Sequence, residues 1–391
     1  MSARDETGVP TRSQILCISL SRLVSDARVL RQIGLLAQFG DVTTVGFGPA
    51  PDGVAHHVEV PTGLTTLPQT WPGVFRLALR AHRSAALSAP AVSWVARRLT
   101  GARFDMVVAN EARVLALASH LAGAAPVWAD MHEWAPEERT HILSWRLLVA
   151  PFMTYLCATH LPDAALITTV SEGIAELYES RFGVAVEVMT NAGPYRDLSP
   201  SPVAEAPIRL VHSGVAVHGR RLELMIDAMG QLDDRWRLTL YLMPGGDGGA
   251  YLRELQARAA NDPRIVFREP VPPSALPDVL NEHDIGVFWI PPTHTNARLT
   301  LPNKLFDFVQ ARLAIAVGPS PEMARLVTGL GLGVVSEDFE LASCVESLRA
   351  FTGETIERSK WASDDAALDL SFERQAEAIA PRIEALLNRN G

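Results

Sequence analysis

Ile15 to Val45 reads ILCISL, SRLVSDARVLRQIGLLAQFG, DVTTV. The first run is short and apolar, as a strand buried on both faces is. Beyond it, Val29, Leu30, Ile33, Leu36 and Ala37 fall on one stripe of a helix expected from about Val24 to Phe39. Gly40 is expected to close that helix by adopting positive φ. Val42–Val45 then returns as a strand, and a Gly-Pro-rich loop runs through Gly53. Strand, helix, strand is the unit of a parallel sheet covered by helices.

Outward from this unit the same alternation continues. Further strands are expected at Asp105–Val108, Val127–Asp130 and Leu166–Val170, each followed by a helical segment. Pro194 to Pro207, PYRDLSPSPVAEAP, has four prolines and no hydrophobic period, so it reads as a linker. The pattern restarts beyond it, with strands at Ile208–His212, Arg237–Leu242, Ile265–Phe267, Ile285–Ile290 and Ala314–Val317. Helices are expected at Arg221–Met229, Tyr251–Ala259 and Asn303–Ala311, and a helical tail from about Asp338. The expected organisation is two doubly wound α/β domains, 1–195 and 208–370, joined by a linker at 196–207. A C-terminal helix, 371–391, is expected to return to the first domain. Parallel sheets of this kind bind ligands at the carboxyl ends of their strands.

The 391 residues carry 44 acidic against 35 Lys and Arg, a formal charge of −9. A nucleic-acid partner, which requires a basic face, is therefore not expected. Cys17, Cys157 and Cys344 are widely spaced and odd in number, which argues against disulfides or a thiolate metal site and fits a reducing cytoplasm. The polar start, MSARDETGVPTRSQ, has no signal-peptide character. The apolar stretch from about Leu147 to Val170 is broken by His160, Pro162 and Asp163, so a soluble cytoplasmic protein is expected.

Four segments carry residues suited to chemistry. His212-Ser213-Gly214 follows immediately after a strand and opens a loop that leads to Arg220 at the expected start of a helix. Such a turn suits a phosphate, but it also suits ordinary connection. The loop Met243 to Gly249 holds four glycines in five residues, a nucleotide-approach loop or a flexible turn. In Asn296–Phe308, NARLTLPNKLFDF, Pro302 can open a helix that places Asn303, Lys304 and Asp307 near its first turn. A lysine there can meet a diphosphate and Asp307 a ribose, or the two can form a surface pair. Finally Asp130, His132 and Glu133 end a strand in ADMHEW, suited to hydrogen bonding a sugar, to a structural role, or to a metal.

Taken together these pieces resemble the family 4 glycosyltransferases, retaining enzymes of the GT-B fold. The resemblance rests on Asp26-Ala27-Arg28, on ADMHEW, on Thr169-Val170-Ser171-Glu172 and on Asn191. In the second half it rests on His212-Ser213-Gly214 with Arg220, and on Arg298 followed by LPNKLFDF. It implies a sugar moved from a nucleoside-diphosphate donor to an acceptor hydroxyl, by a hexosyltransferase-like enzyme, with no metal and no cofactor beyond the donor itself. Arg220 and Lys304 would hold the diphosphate, with Ser213, Gly214, Arg298 and Asn303 around the donor and Asp307 on the ribose. His132 would touch the donor sugar, while Asp26, Arg28 and Glu133 would lie on the acceptor or sugar side.

The chain also departs from the family pattern. Leu299 stands where a first carboxylate is often found, and Val215 where an arginine often follows the glycine. An epimerase of the same fold and a non-catalytic partner subunit therefore stay open beside the transferase. The acceptor, whether saccharide, lipid-linked or small, is not set. Val74–Leu99 mixes Arg76, Arg80, Arg83, Arg97 and Arg98 with apolar residues, which fits either a peripheral membrane contact or two surface-to-core helices.

Overall fold

The computed structural model describes residues 12–388. Most of the polar N-terminal stretch, residues 1–11, lies outside them, as do 389–391. The chain forms two compact units, one running to Thr190 and resuming at Ala376, the other Asn191–Gln375.

The first unit is built on β1 (Ser13–Arg22), β2 (Gly40–Phe47), β3 (His56–Glu59), β4 (Met106–Asn110), β5 (Val127–Met131), β6 (Leu166–Thr169) and β7 (Glu187–Val188). All neighbours pair in parallel, in the order β3-β2-β1-β4-β5-β6-β7. β4 is buried end to end because helices cover both faces of the sheet. The last helix, Phe372–Asn388, reaches this unit, where Arg382 pairs with Glu187 at 3.0 Å.

The second unit holds β8 (Ile208–Ala216), β9 (Trp236–Pro244), β10 (Ile265–Arg268), β11 (Ile285–Phe288), β12 (Ala314–Val317) and β13 (Gly333–Val335). Its order is β10-β9-β8-β11-β12-β13, again all parallel. Alternate side chains of one strand serve two cores. Leu210, Val287 and Ala316 pack on one face, and Val211, Ile315 and Val317 on the other with Phe306 and Phe308. The helix Asn303–Gln310 is amphipathic: Leu305, Phe306, Phe308 and Val309 turn inward, so Lys304 and Asp307 remain at its edge.

Several boundaries differ from the sequence reading for identifiable reasons. Gly40 does not close a helix. It is the first residue of β2, and a Cβ on it would stand 2.2 Å from Ser13 O, so strand contact requires the glycine. The first helix starts at Ala27, because Asp26 caps it by accepting from Val29 N at 3.2 Å. β8 runs through Ala216, so His212-Ser213-Gly214 is strand rather than loop. The next helix opens at Glu223, since Arg221 is held at φ 51°. Val74–Leu99 falls into three helices, Trp71–Ala78, His82–Ala85 and Pro90–Arg98. β3, β7 and β13 carry too few apolar residues to show any period in the sequence.

Candidate functional site

In the second unit the strand order reverses between β8 and β11, which opens a crevice at their carboxyl ends. Ser213 and Gly214 stand on β8 at that point. A Cβ built on Gly214 would lie 2.7 Å from Lys304 Cε and 3.5 Å from both Lys304 Nζ and His212 Nε2. The absent side chain is thus the space that the lysine occupies. His212 Nδ1 lies 2.8 Å from Val287 O and must donate to it, which leaves Nε2 as a lone pair toward the lysine. Burial, then the charges of Lys304 and Arg220, push His212 down to about 3, so the ring is neutral. Lys304 is itself pushed below the usual lysine value by burial and by Arg220, with Asp307 opposing them. Arg220 steadies its guanidinium on Val215 O at 3.3 Å.

Two cations that feel one another's charge make a place for a polyanion. Ser213 Oγ is fully buried there with no hydrogen-bond partner among the described residues. Trp289 Nε1, just past β11, and Ser320 Oγ, three residues past β12, share that condition. Buried polar atoms orphaned at strand ends call for a partner from outside the chain, an ordered water or a ligand. Asn303 and Arg298 are exposed, and Asp307 lies one turn along the helix from Lys304. At the glycine-rich loop two N–H groups are taken by a side chain of the loop itself. Asp247 accepts from Gly249 N and Tyr251 N, both at 2.9 Å, and so fills the helix start itself.

In the first unit the order reverses between β1 and β4, and β5 follows. Arg28 faces Asp130. It is buried, with Nε and Nη2 donating to the two oxygens of Asp130 at 2.9 and 2.6 Å and Nη1 donating to Met189 O at 2.7 Å. Burial disfavours the Asp130 carboxylate, but Arg28 and then His132 outweigh it and hold the group below the usual carboxylate range. Asp26, half-buried, accepts from Val29 N at the helix cap and from Ser21 Oγ at 2.8 Å.

The ion pair sets the polarity of a chain of amides. A carboxylate only accepts, so Gln32 Nε2 donates to Asp130 Oδ2 at 3.2 Å. Gln32 Oε1 then accepts from Asn110 Nδ2 at 2.9 Å. Asn110 Oδ1 is left to accept from His132 Nε2 at 3.0 Å. In its neutral form the imidazole therefore carries its proton on Nε2, which is also 3.3 Å from Asp130 Oδ2. Nδ1 keeps the lone pair, 4.0 Å from Glu111 Oε1.

His132 borders a cavity of about 270 Å³ lined by Ser21, Glu111, Arg113, Glu133, Glu138 and Arg139, among others. Glu133 keeps an exposed edge, yet loss of water around its carboxyl, then the like charges of Glu138 and Glu111, push it up to about 7. Glu111 holds φ 73° and ψ 157°, a region almost reserved for glycine, at a cost of order 1–3 kcal/mol. Its N–H reaches Asp130 O at 2.9 Å and its carboxylate reaches Arg113 at 2.7 Å. Gln32, Asn110, Glu111, Arg113 and Glu138 belong to no motif legible in the sequence. The one local signal is a polar pair, Asn110-Glu111, ending an apolar strand. Among the described residues no group of three or more His, Cys, Asp or Glu is placed to hold a metal ion.

No family model matches the sequence, and no curated protein is similar enough to count as a relative. Solved structures are similar over nearly the whole chain. Sucrose-phosphate synthase from Thermosynechococcus elongatus superposes with a TM-score of 0.71 at 12% identity, over 97% of this chain and 100% of that one. An α,α-trehalose 6-phosphate synthase from Burkholderia multivorans gives 0.67 at 12%, over 97% and 100%. Anabaena HepE, solved in complex with UDP-glucose, gives 0.66 at 17%, over 95% and 100%.

The chain has the GT-B fold. Within this GT-B chain, each unit brings its polar and charged residues to the point where its own strand order reverses. At these identities the likeness speaks to architecture, and the chemistry rests on the side chains themselves.

Proposed function

We propose that this GT-B chain is a glycosyltransferase that moves a hexose from a nucleoside-diphosphate donor to an acceptor hydroxyl, with retention and without a metal ion. The observation that carries the proposal is the Lys304 side chain seated on Gly214 with Arg220 near enough to depress its pKa. A pyrophosphate gains charge as it leaves, and preplaced cations favour that state over the bound ground state. Ser213, Gly214 and Asn303 line the donor, Asp307 takes the ribose, and exposed Arg298 closes on the donor from the preceding helix, Thr295–Leu299.

To the first unit the proposal gives the acceptor and sugar side. His132 Nδ1 has a lone pair for a sugar hydroxyl, and Glu133 adds a carboxyl that titrates near neutrality. The complexes of HepE with UDP and with UDP-glucose support a uridine diphosphate donor. Leu299 favours a second reading, a partner subunit that binds nucleotide but does not turn it over. Its side chain is buried in the helix Thr295–Leu299, so the position supplies no carboxylate.

The test is thermal shift of the full chain against UDP, UDP-glucose and other nucleoside-diphosphate sugars, followed by turnover with and without acceptor. A ligand that binds only the native state adds about 2.7 kcal/mol of stability at a hundredfold excess over Kd, and the melting point rises with it. Lys304→Ala should remove the shift and lower turnover by about 10²–10³ while the fold persists. An unchanged shift in that variant refutes the diphosphate assignment. Donor turnover without acceptor indicates the epimerase, and binding without turnover the partner subunit.

A further inference from the structure

Trp71, Phe75 and Leu79 recur every four residues along the helix Trp71–Ala78 and its C-cap, and all three project to solvent. Trp71 is 91% exposed, a rare state for the largest side chain. Ile142, Leu143 and Leu147 of a neighbouring segment are exposed as well, and these five other residues range from 43% to 64%. Arg80 joins the two segments by donating to Leu147 O at 2.7 Å. Six large apolar side chains on adjoining surfaces exceed the scatter expected of a water-facing surface.

The charge around them is one-sided. Residues 60–104 and 139–162 contain no Asp or Glu, in a chain that has 44. Both spans carry arginines instead, among them Arg76, Arg80, Arg83, Arg139 and Arg146. A cavity of about 570 Å³ opens beside the apolar residues, lined by Arg80, His82, Arg83, Ser84 and Tyr155. Arg80 is fixed there at φ 57°. Pro90–Arg98, by contrast, buries Ala91, Val92 and Val95 and is an ordinary surface-to-core helix.

We propose that this face seats the first unit on an anionic phospholipid bilayer, with Trp71, Phe75 and Leu143 in the headgroup layer and the Arg80–Arg83 cavity on a lipid phosphate. Such surfaces combine apolar insertion with attraction to negative lipid, and neither element alone holds a protein firmly. A second copy of the chain is a poorer occupant. A twofold contact through this face sets arginine against arginine with no carboxylate in either span to pair them. No helix among the described residues is long and apolar enough to cross a membrane, so the contact would be at the surface.

The experiment is co-sedimentation of the full chain with vesicles of phosphatidylcholine alone and of phosphatidylcholine with phosphatidylglycerol, over a salt series. Binding is expected only with phosphatidylglycerol, and weakening as salt rises. Phe75→Ser and Leu143→Ser, both exposed, should each weaken it on the order of tenfold with an unchanged melting point. Arg83→Gln and Arg146→Gln should each weaken it about fivefold. No binding to the anionic vesicles, equal binding to both kinds, or binding untouched by Phe75→Ser overturns the proposal. So does a dimer in light scattering that Phe75→Ser dissociates while the vesicles bind nothing.

Discussion

Gly214 and Lys304 compete for one volume: a Cβ on the glycine would lie 2.7 Å from the lysine Cε. The clash is with the far end of a flexible chain, so Gly214→Ala should displace the ammonium rather than unfold the strand. We expect donor affinity to fall by about 10² and, because Gly214 holds φ 159°, the melting point to fall as well without loss of the fold. Titration calorimetry with UDP checks it, and an unaltered affinity would show that the lysine position does not matter.

Asn110 transmits the polarity of the Arg28–Asp130 pair to His132. In the wild-type protein, ¹⁵N shifts of the neutral ring should show the proton on Nε2. Asn110→Leu removes the nearer acceptor and leaves Asp130 Oδ2 at 3.3 Å, so the ring should lose its fixed seat and kcat should drop about 10²-fold with little change in KM. A wild-type ring protonated on Nδ1 would contradict this relay at its last donor.

Arg28→Ala leaves a buried carboxylate without its counter-charge. The expected loss is about 3–5 kcal/mol in denaturant unfolding at neutral pH. Asp130 is depressed in the folded state, so the stability it confers is present above its unfolded pKa of about 3.9 and lost as pH falls below that value. The penalty of Arg28→Ala should therefore shrink in acid. A loss under about 1 kcal/mol at neutral pH would mean that water reaches Asp130 in the variant.

His212 gives the opposite kind of titration for an imidazole. Its folded value of about 3 lies below the unfolded value of 6.5, so the unfolded chain binds the extra proton between them. Stability from this group is full above pH 6.5 and declines on acidification by about 1 kcal/mol per pH unit. His212→Gln should flatten the pH dependence of unfolding between about pH 4 and 6 by that slope. An identical profile in both proteins would place the ring in contact with solvent.

The two stretches that stand out in the sequence, LPNKLFDF and ADMHEW, do so because their constraints are local. Pro302 starts a helix, the apolar positions of Leu305 to Val309 choose its inward face, and Lys304 is left at the edge whatever the rest of the chain does. The βαβ alternation is equally local, and it limits the architecture to parallel sheets whose ligands meet strand ends. Gln32 and Asn110 have no such signal. They lie 78 residues apart and bond only because β1, its helix and β4 are neighbours in the sheet.

Composition and periodicity thus determined the longer strands, most of the helices and the candidate cations. Tertiary structure alone decided what each charge meets. It turned Arg28 inward onto Asp130, extended β8 through Gly214 and tied Arg80 to Leu147, 67 residues away. The physical reason is range. Secondary structure answers to neighbours within a turn or a pleat, while a charge answers to whatever the fold brings within a few ångströms.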